Sequence, residues 1–70
     1  MIPIASNDNR PRLMAPKDAA AATSLSRQLL TLMAAEGAFP MPVALGERRT
    51  AYVRAEVEAW IDSRIAARTA

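Results

Sequence analysis

Seventy residues make one small domain, a size at which a chain buries only about 60% of its unfolded surface. There is no Cys and no His, which removes disulfides, thiolate nucleophiles, the commonest general base and most zinc sites. The net charge is only +2 and no apolar run approaches a membrane span, which takes about 20 residues; the default expectation is a cytoplasmic protein held by an apolar core, by dimerisation or by a ligand.

Residues 1–13 read as a disordered N-terminal arm. The run Asn7-Asp8-Asn9-Arg10-Pro11-Arg12 is polar, Pro-interrupted and aperiodic. A frayed terminus is the plain reading. The sharper one is a basic arm that reaches phosphates or a minor groove through Arg10 and Arg12. The folded domain is placed at residues 14–70.

Pro16 suits the first position of a helix. Lys17-Asp18-Ala19-Ala20-Ala21-Ala22 continues it with high propensity, and Thr23-Ser24 ends it. Ser26 then suits an N-cap, accepting from the amide of Gln28 or Leu29, for a second helix from Arg27 to about Glu36. Leu29, Leu30 and Met33 fall on its core face. Arg27, Gln28, Thr31 and Ala35 fall opposite, with Leu32 at the edge. That opposite face has short side chains and little charge. Such a face can press into a DNA major groove, where Arg suits guanine, Gln suits adenine and a Thr or Leu methyl meets thymine.

Gly37 suits a left-handed C′ position after this helix. Pro40 and Pro42 cannot continue a helix and force their predecessors into extended geometry. Val43 and Leu45 alternate with Ala44, and Tyr52-Val53 forms a second extended run. Between them Gly46-Glu47-Arg48-Arg49 makes a hairpin tip with two adjacent arginines. An ordinary solvated turn explains them as simply as a phosphate contact does. Phe39 reads as a core anchor. Tyr52 either packs on the sheet or offers its hydroxyl to a phosphate.

The last helix is predicted from about Ala55 to Ala67. Val57, Trp60, Ile61 and the stem of Arg64 form its apolar stripe, and Ile65 widens it. Trp60, the one Trp, is expected to contribute most to a core of Leu30, Met33, Phe39, Val57, Trp60 and Ile61. Arg54 is a poor N-cap, and the sequence offers no account of it. The fold class is mainly α with a small two-stranded β-hairpin, the layout of a winged helix-turn-helix.

No constellation supports catalysis. The acids are scattered on helix faces, and two glycines cannot build a phosphate-cradling loop. The chain reads as a non-enzyme with no cofactor, no metal and no small-molecule substrate.

From Leu25 to Arg68 the sequence resembles the AlpA-type regulators of phages and integrative elements. These are excisionase-like winged helix-turn-helix proteins related to MerR-class DNA-binding domains. Leu25-Ser26-Arg27 matches the opening of their recognition helix. Glu36-Gly37-Ala38-Phe39-Pro40-Met41-Pro42-Val43-Ala44-Leu45-Gly46 matches a run of the form EG-x-FP-x-PV-x-LG. Glu56-Val57-Glu58-Ala59-Trp60-Ile61 matches an EVEAW run. The resemblance implies groove contacts by Ser26, Arg27, Gln28 and Thr31, and backbone or minor-groove contacts by Arg48 and Arg49. It implies double-stranded DNA as partner, a tyrosine integrase, and cooperative assembly of several copies beside an attachment site. Family members commonly carry small hydroxyl residues where Gln28 and Leu29 stand, an aromatic where Thr31 stands, and basic residues where Leu32 and Ala38 stand. This helix is less cationic than usual, which implies weak binding by a single copy, with the exposed edge at Leu29 and Leu32, the Ala-rich first helix and the N-terminal arm as candidate surfaces for contact between copies. The leading expectation is an excisionase that also regulates transcription. The alternatives are a plain regulator of integrase or excision genes and a small protein–protein adaptor such as an antitoxin.

Overall fold

In the computed structural model, which describes residues 10–68, helix α1 (Pro16–Thr23) opens at Pro16. Proline has no amide hydrogen to leave unsatisfied there. The amides of Asp18 and Ala19 both donate to the Ala15 carbonyl, at 2.9 and 3.0 Å. Thr23 closes the helix: its hydroxyl donates to the Ala19 carbonyl at 2.9 Å, and its oxygen accepts from the Leu25 amide at 3.3 Å. Ser24 follows in the left-handed region, at φ 64°. A turn over residues 24–26 then leads into helix α2 (Arg27–Ala35).

Both ends of α2 are fixed locally. Ser26 Oγ accepts from the Leu29 amide at 3.0 Å, satisfying one of the orphan donors of the first turn. At the other end Gly37 adopts φ 78°. Its amide donates to Ala34 at 3.1 Å, and the Ala38 amide donates to Met33 at 2.8 Å. These two bonds are the paired closure of a Schellman motif.

Strand β2 (Val43–Ala44) pairs antiparallel with β3 (Thr50–Val53), with Val43 opposite Ala51 and Ala44 opposite Thr50. The hairpin foreseen in the sequence is present. A third strand, β1 (Leu13–Met14), lies on the other side of β3, with Leu13 opposite Val53 and Met14 opposite Tyr52. The end of the expected arm at Leu13 therefore falls inside the sheet. The rest of that expectation, residues 1–9, lies outside the described residues. Helix α3 (Arg54–Ala67) completes the fold. Helices plus a short hairpin in this order make a winged helix-turn-helix, mainly α with a small antiparallel sheet.

Arg54 acquires its reason from the third strand. Its amide donates to the Arg12 carbonyl at 2.7 Å, and its Nε donates to the Pro11 carbonyl at 2.7 Å. Arg10 closes the clasp, its guanidinium donating to both Glu58 carboxylate oxygens at 2.6 and 3.4 Å. The N-cap of α3 is Val53.

The core is Met14, Ala19, Leu30, Ala34, Phe39, Tyr52 and Val57, with Met33, Trp60 and Ile61 packed against it. Two expectations are corrected. Leu29 is 39% exposed and Ile65 50% exposed, while Ala34, which the sequence did not assign to the core, is buried. A small side chain there lets α2 share one cluster with Ala19 of α1. Trp60 is also not the heart of the core. Leu30 and Val57 are the largest fully buried side chains, and Trp60 sits at the margin. It nevertheless ties three elements together. Its ring meets Phe39 edge-on at 4.9 Å, Phe39 meets Tyr52 edge-on at 5.4 Å, and its indole Nε1 donates to the Ala38 carbonyl at 2.9 Å. The aromatic chain Tyr52–Phe39–Trp60 thus joins the hairpin, the end of α2 and α3. Tyr52 is buried, so of its two expected roles the structure supports packing.

Candidate nucleic-acid interface

Gln28, Leu32 and Ala35 lie on the side of α2 turned from the core, and Arg27 and Thr31 lie on its flank nearer Leu30 and Ala34; all five are exposed. The exposure of that side follows from the packing of the other side, where Leu30 and Ala34 are buried. No Asp or Glu occurs between Asp18 and Glu36. A phosphate-rich surface approaching α2 therefore meets no carboxylate from the helix before its exposed C-cap, Glu36.

The polar groups on this side differ in what they have left to offer. Ser26 Oγ is engaged as the N-cap. The Thr31 hydroxyl donates to the Arg27 carbonyl at 3.1 Å. That bond uses its one proton and leaves a methyl and acceptor capacity. Among the described residues no ion pair or side-chain hydrogen bond engages the Arg27 guanidinium or the Gln28 amide. These two are the uncommitted donors of the helix.

Arg48 and Arg49 are exposed at the hairpin tip. The tip is closed by the Leu45 amide donating to the Arg49 carbonyl at 2.8 Å, so the backbone is held while the two guanidinium groups extend from it. The side chains of Arg48 and Arg49 have no protein partner among the described residues. Glu47 is their only acidic sequence neighbour.

The two arm residues part company. Arg12 is exposed beside β1, and its backbone carbonyl is the acceptor for Arg54. Arg10 is held by Glu58. Arg54 stands 3.9 Å from the same carboxylate. The structure thus groups Ser26, Arg27, Gln28 and Thr31 on one helix and Arg48 with Arg49 on one turn. Arg10 is drawn to α3. The residue that sequence reasoning missed is Arg54, whose signal was its unsuitability as a cap. Leu29, which the sequence places both on the core face and at an exposed edge with Leu32, lies at the surface.

An open apolar groove runs between the two helices behind this side, lined by Leu25, Met33, Ala38, Trp60, Ile61 and Ile65. Arg64 lies over the Trp60 ring at 5.8 Å, within cation–π range. Among the described residues no three acidic groups gather as metal ligands, and no helix is long and apolar enough to cross a membrane.

A family model described as prophage CP4-57 regulatory protein (AlpA) matches residues 12–65. Searches of curated proteins and of solved structures found no match. The matched span runs from the residue before β1 to within two residues of the end of α3, and so takes in the clasped strand, both helices of the helix-turn-helix and the hairpin. On that span the chain belongs to the AlpA family of prophage regulatory proteins.

Proposed function

We propose that this protein is a DNA-binding regulator that acts as an excisionase. The observation that carries the reading is the pairing of an exposed helix face, free of carboxylates before its C-cap, with two adjacent arginines at the hairpin tip whose side chains have no partner among the described residues. Helix α2 enters the major groove, whose width of about 12 Å admits a helix. Arg27 and Gln28 contact base edges, Ser26 and Thr31 lie against the groove wall, and Arg48 and Arg49 grip the sugar–phosphate backbone.

Few phosphate contacts per protomer give weak binding by a single copy. Affinity then comes from several copies side by side on DNA, at an attachment site where a tyrosine integrase excises the element. Smooth bending of such a site costs roughly 1–6 kcal/mol, which several protomers share. Membership in a prophage regulatory family supports the DNA-binding part of this reading. The integrase and the assembly rest on the resemblance of the α2, loop and α3 segments to excisionase-like proteins.

Electrophoretic shifts of attachment-site DNA across a protein titration test it. A ladder of shifted species with bent DNA is the expected result. One discrete complex at a promoter assigns the protein to plain transcriptional regulation. No shift at low salt with any duplex contradicts DNA binding and leaves a protein–protein adaptor.

A further inference from the structure

We propose that the exposed leucines of α2, Leu32 above all and Leu29 beside it, read the 5-methyl groups of thymine. The inference rests on the DNA-binding reading above and adds the base that the helix selects.

Leu32 is 54% exposed and Leu29 39% exposed. With 3.6 residues per turn, burial of Leu30 and Ala34 places Gln28 and Leu32 at the centre of the outward face. Leu32 therefore stands where a groove-bound helix comes nearest the bases. Its neighbours Thr31 and Ala35 are short, which lets the helix backbone approach closely. Thr31 has given its hydroxyl proton to the Arg27 carbonyl, and what remains includes a second methyl. The face thus combines the Gln28 amide with the apolar groups of Leu29, Leu32, Ala35 and Thr31, and its one carboxylate, Glu36, stands at the C-cap, one turn beyond Leu32.

The occupant follows from this chemistry. In the major groove thymine alone among the four bases presents a methyl group, and adenine, its partner, presents the acceptor and donor that a Gln amide matches. Gln28 and Leu32 lie one helical turn apart and so face the same short stretch of base pairs. An A·T-containing site offers both groups what they need. Covering each thymine methyl with a leucine removes about one methyl from water, which corresponds to roughly fourfold in affinity.

The test starts with selection of duplexes from a random-sequence pool by the full chain. Thymines in the enriched site are then replaced by deoxyuridine, which keeps pairing and O4 and lacks only the methyl. The expected result is a site containing thymine, bound roughly fourfold more weakly for each contacted methyl removed. Leu32→Ala should lose the discrimination at the thymine it covers and Leu29→Ala/Leu32→Ala should bind the thymine and uracil probes equally, with an unchanged salt slope and, for Leu32→Ala, an unchanged thermal unfolding curve. Equal binding of the two probes by the natural chain overturns the inference, as does a pool that yields no enriched site. Loss of multi-protomer complexes by Leu32→Ala without discrimination between the probes also overturns it, assigning the leucines to contact between copies. Failure to bind any duplex at low salt sinks the DNA-binding reading instead, and the two failures are distinct.

Discussion

Replacing Phe39 by Leu tests whether the aromatic chain holds the hairpin against α3. Phe39 is 4% exposed and meets Tyr52 at 5.4 Å and Trp60 at 4.9 Å, both edge-on. Leu keeps most of the buried apolar area, and a swap of similar volume costs under about 1.5 kcal/mol by itself. The two ring–ring contacts are lost, at about 0.5–1.5 kcal/mol each. Together these ranges span about 1–4.5 kcal/mol, and the expected destabilisation is their middle, about 2–3 kcal/mol. A domain of this size has roughly 3–5 kcal/mol in all, so most of its margin is at stake. With about 4–8 °C per kcal/mol, Tm should fall by roughly 10–20 °C. Urea titration followed by the fluorescence of Trp60, the one Trp in the chain, and by far-ultraviolet circular dichroism measures the change. A double-mutant cycle with Trp60→Leu, read by circular dichroism, isolates the Phe39–Trp60 contact. A loss below about 0.5 kcal/mol, or zero coupling in the cycle, refutes the reasoning.

The other expectations are local. Gly37→Ala finds open space for its Cβ but must hold φ 78°, so it should destabilise by about 1 kcal/mol. Ser24→Gly works in the opposite sense, because a Ser already occupies φ 64°. Relief of that conformation less the added chain entropy should stabilise by up to about 1 kcal/mol, and thermal melts of both variants check the signs. Ser26→Ala removes the cap on the Leu29 amide and should cost about 1 kcal/mol by the same melts. Arg54→Ala removes the Nε donor to the Pro11 carbonyl. The β1 segment should then open more often, and trypsin should cut after Arg12 faster than in the natural chain while α3 stays protected.

The parts of this fold that were legible in the sequence are those whose signals lie within a few residues. Ser26 and Gly37 mark the two ends of α2, and their bonding partners, Leu29 and Ala34, are three residues away. Pro16 and Thr23 do the same for α1. Strand β1 was not legible, because two residues carry no periodicity and their partners stand about 40 positions away. Arg54 looked like a misplaced cap for the same reason: the carbonyls it serves belong to Pro11 and Arg12. On α2 the hydropathy pattern put Leu29 inward. The packing turns the buried stripe to Leu30 and Ala34 instead, in one cluster with Ala19 of α1. For the candidate interface, Arg27, Gln28, Thr31, Arg48 and Arg49 were recognisable as polar residues at exposed positions. That Thr31 has spent its proton, and that Arg10 is held by Glu58, depends on rotamers and long-range contacts that no sequence pattern encodes.

The central claim is a division of labour, in which α2 reads bases and the hairpin tip holds phosphates. Fluorescence anisotropy of a labelled duplex, titrated at several salt concentrations with Arg27→Ala and with the double variant Arg48→Ala/Arg49→Ala, tests it most directly. The account predicts that Arg27→Ala loses about 1–3 kcal/mol on the preferred site and little on unrelated duplexes. It predicts that the double variant weakens binding to every sequence and flattens the slope of log K against log salt by about 2. Uniform losses from both variants across all duplexes, with the same change in slope, contradict it.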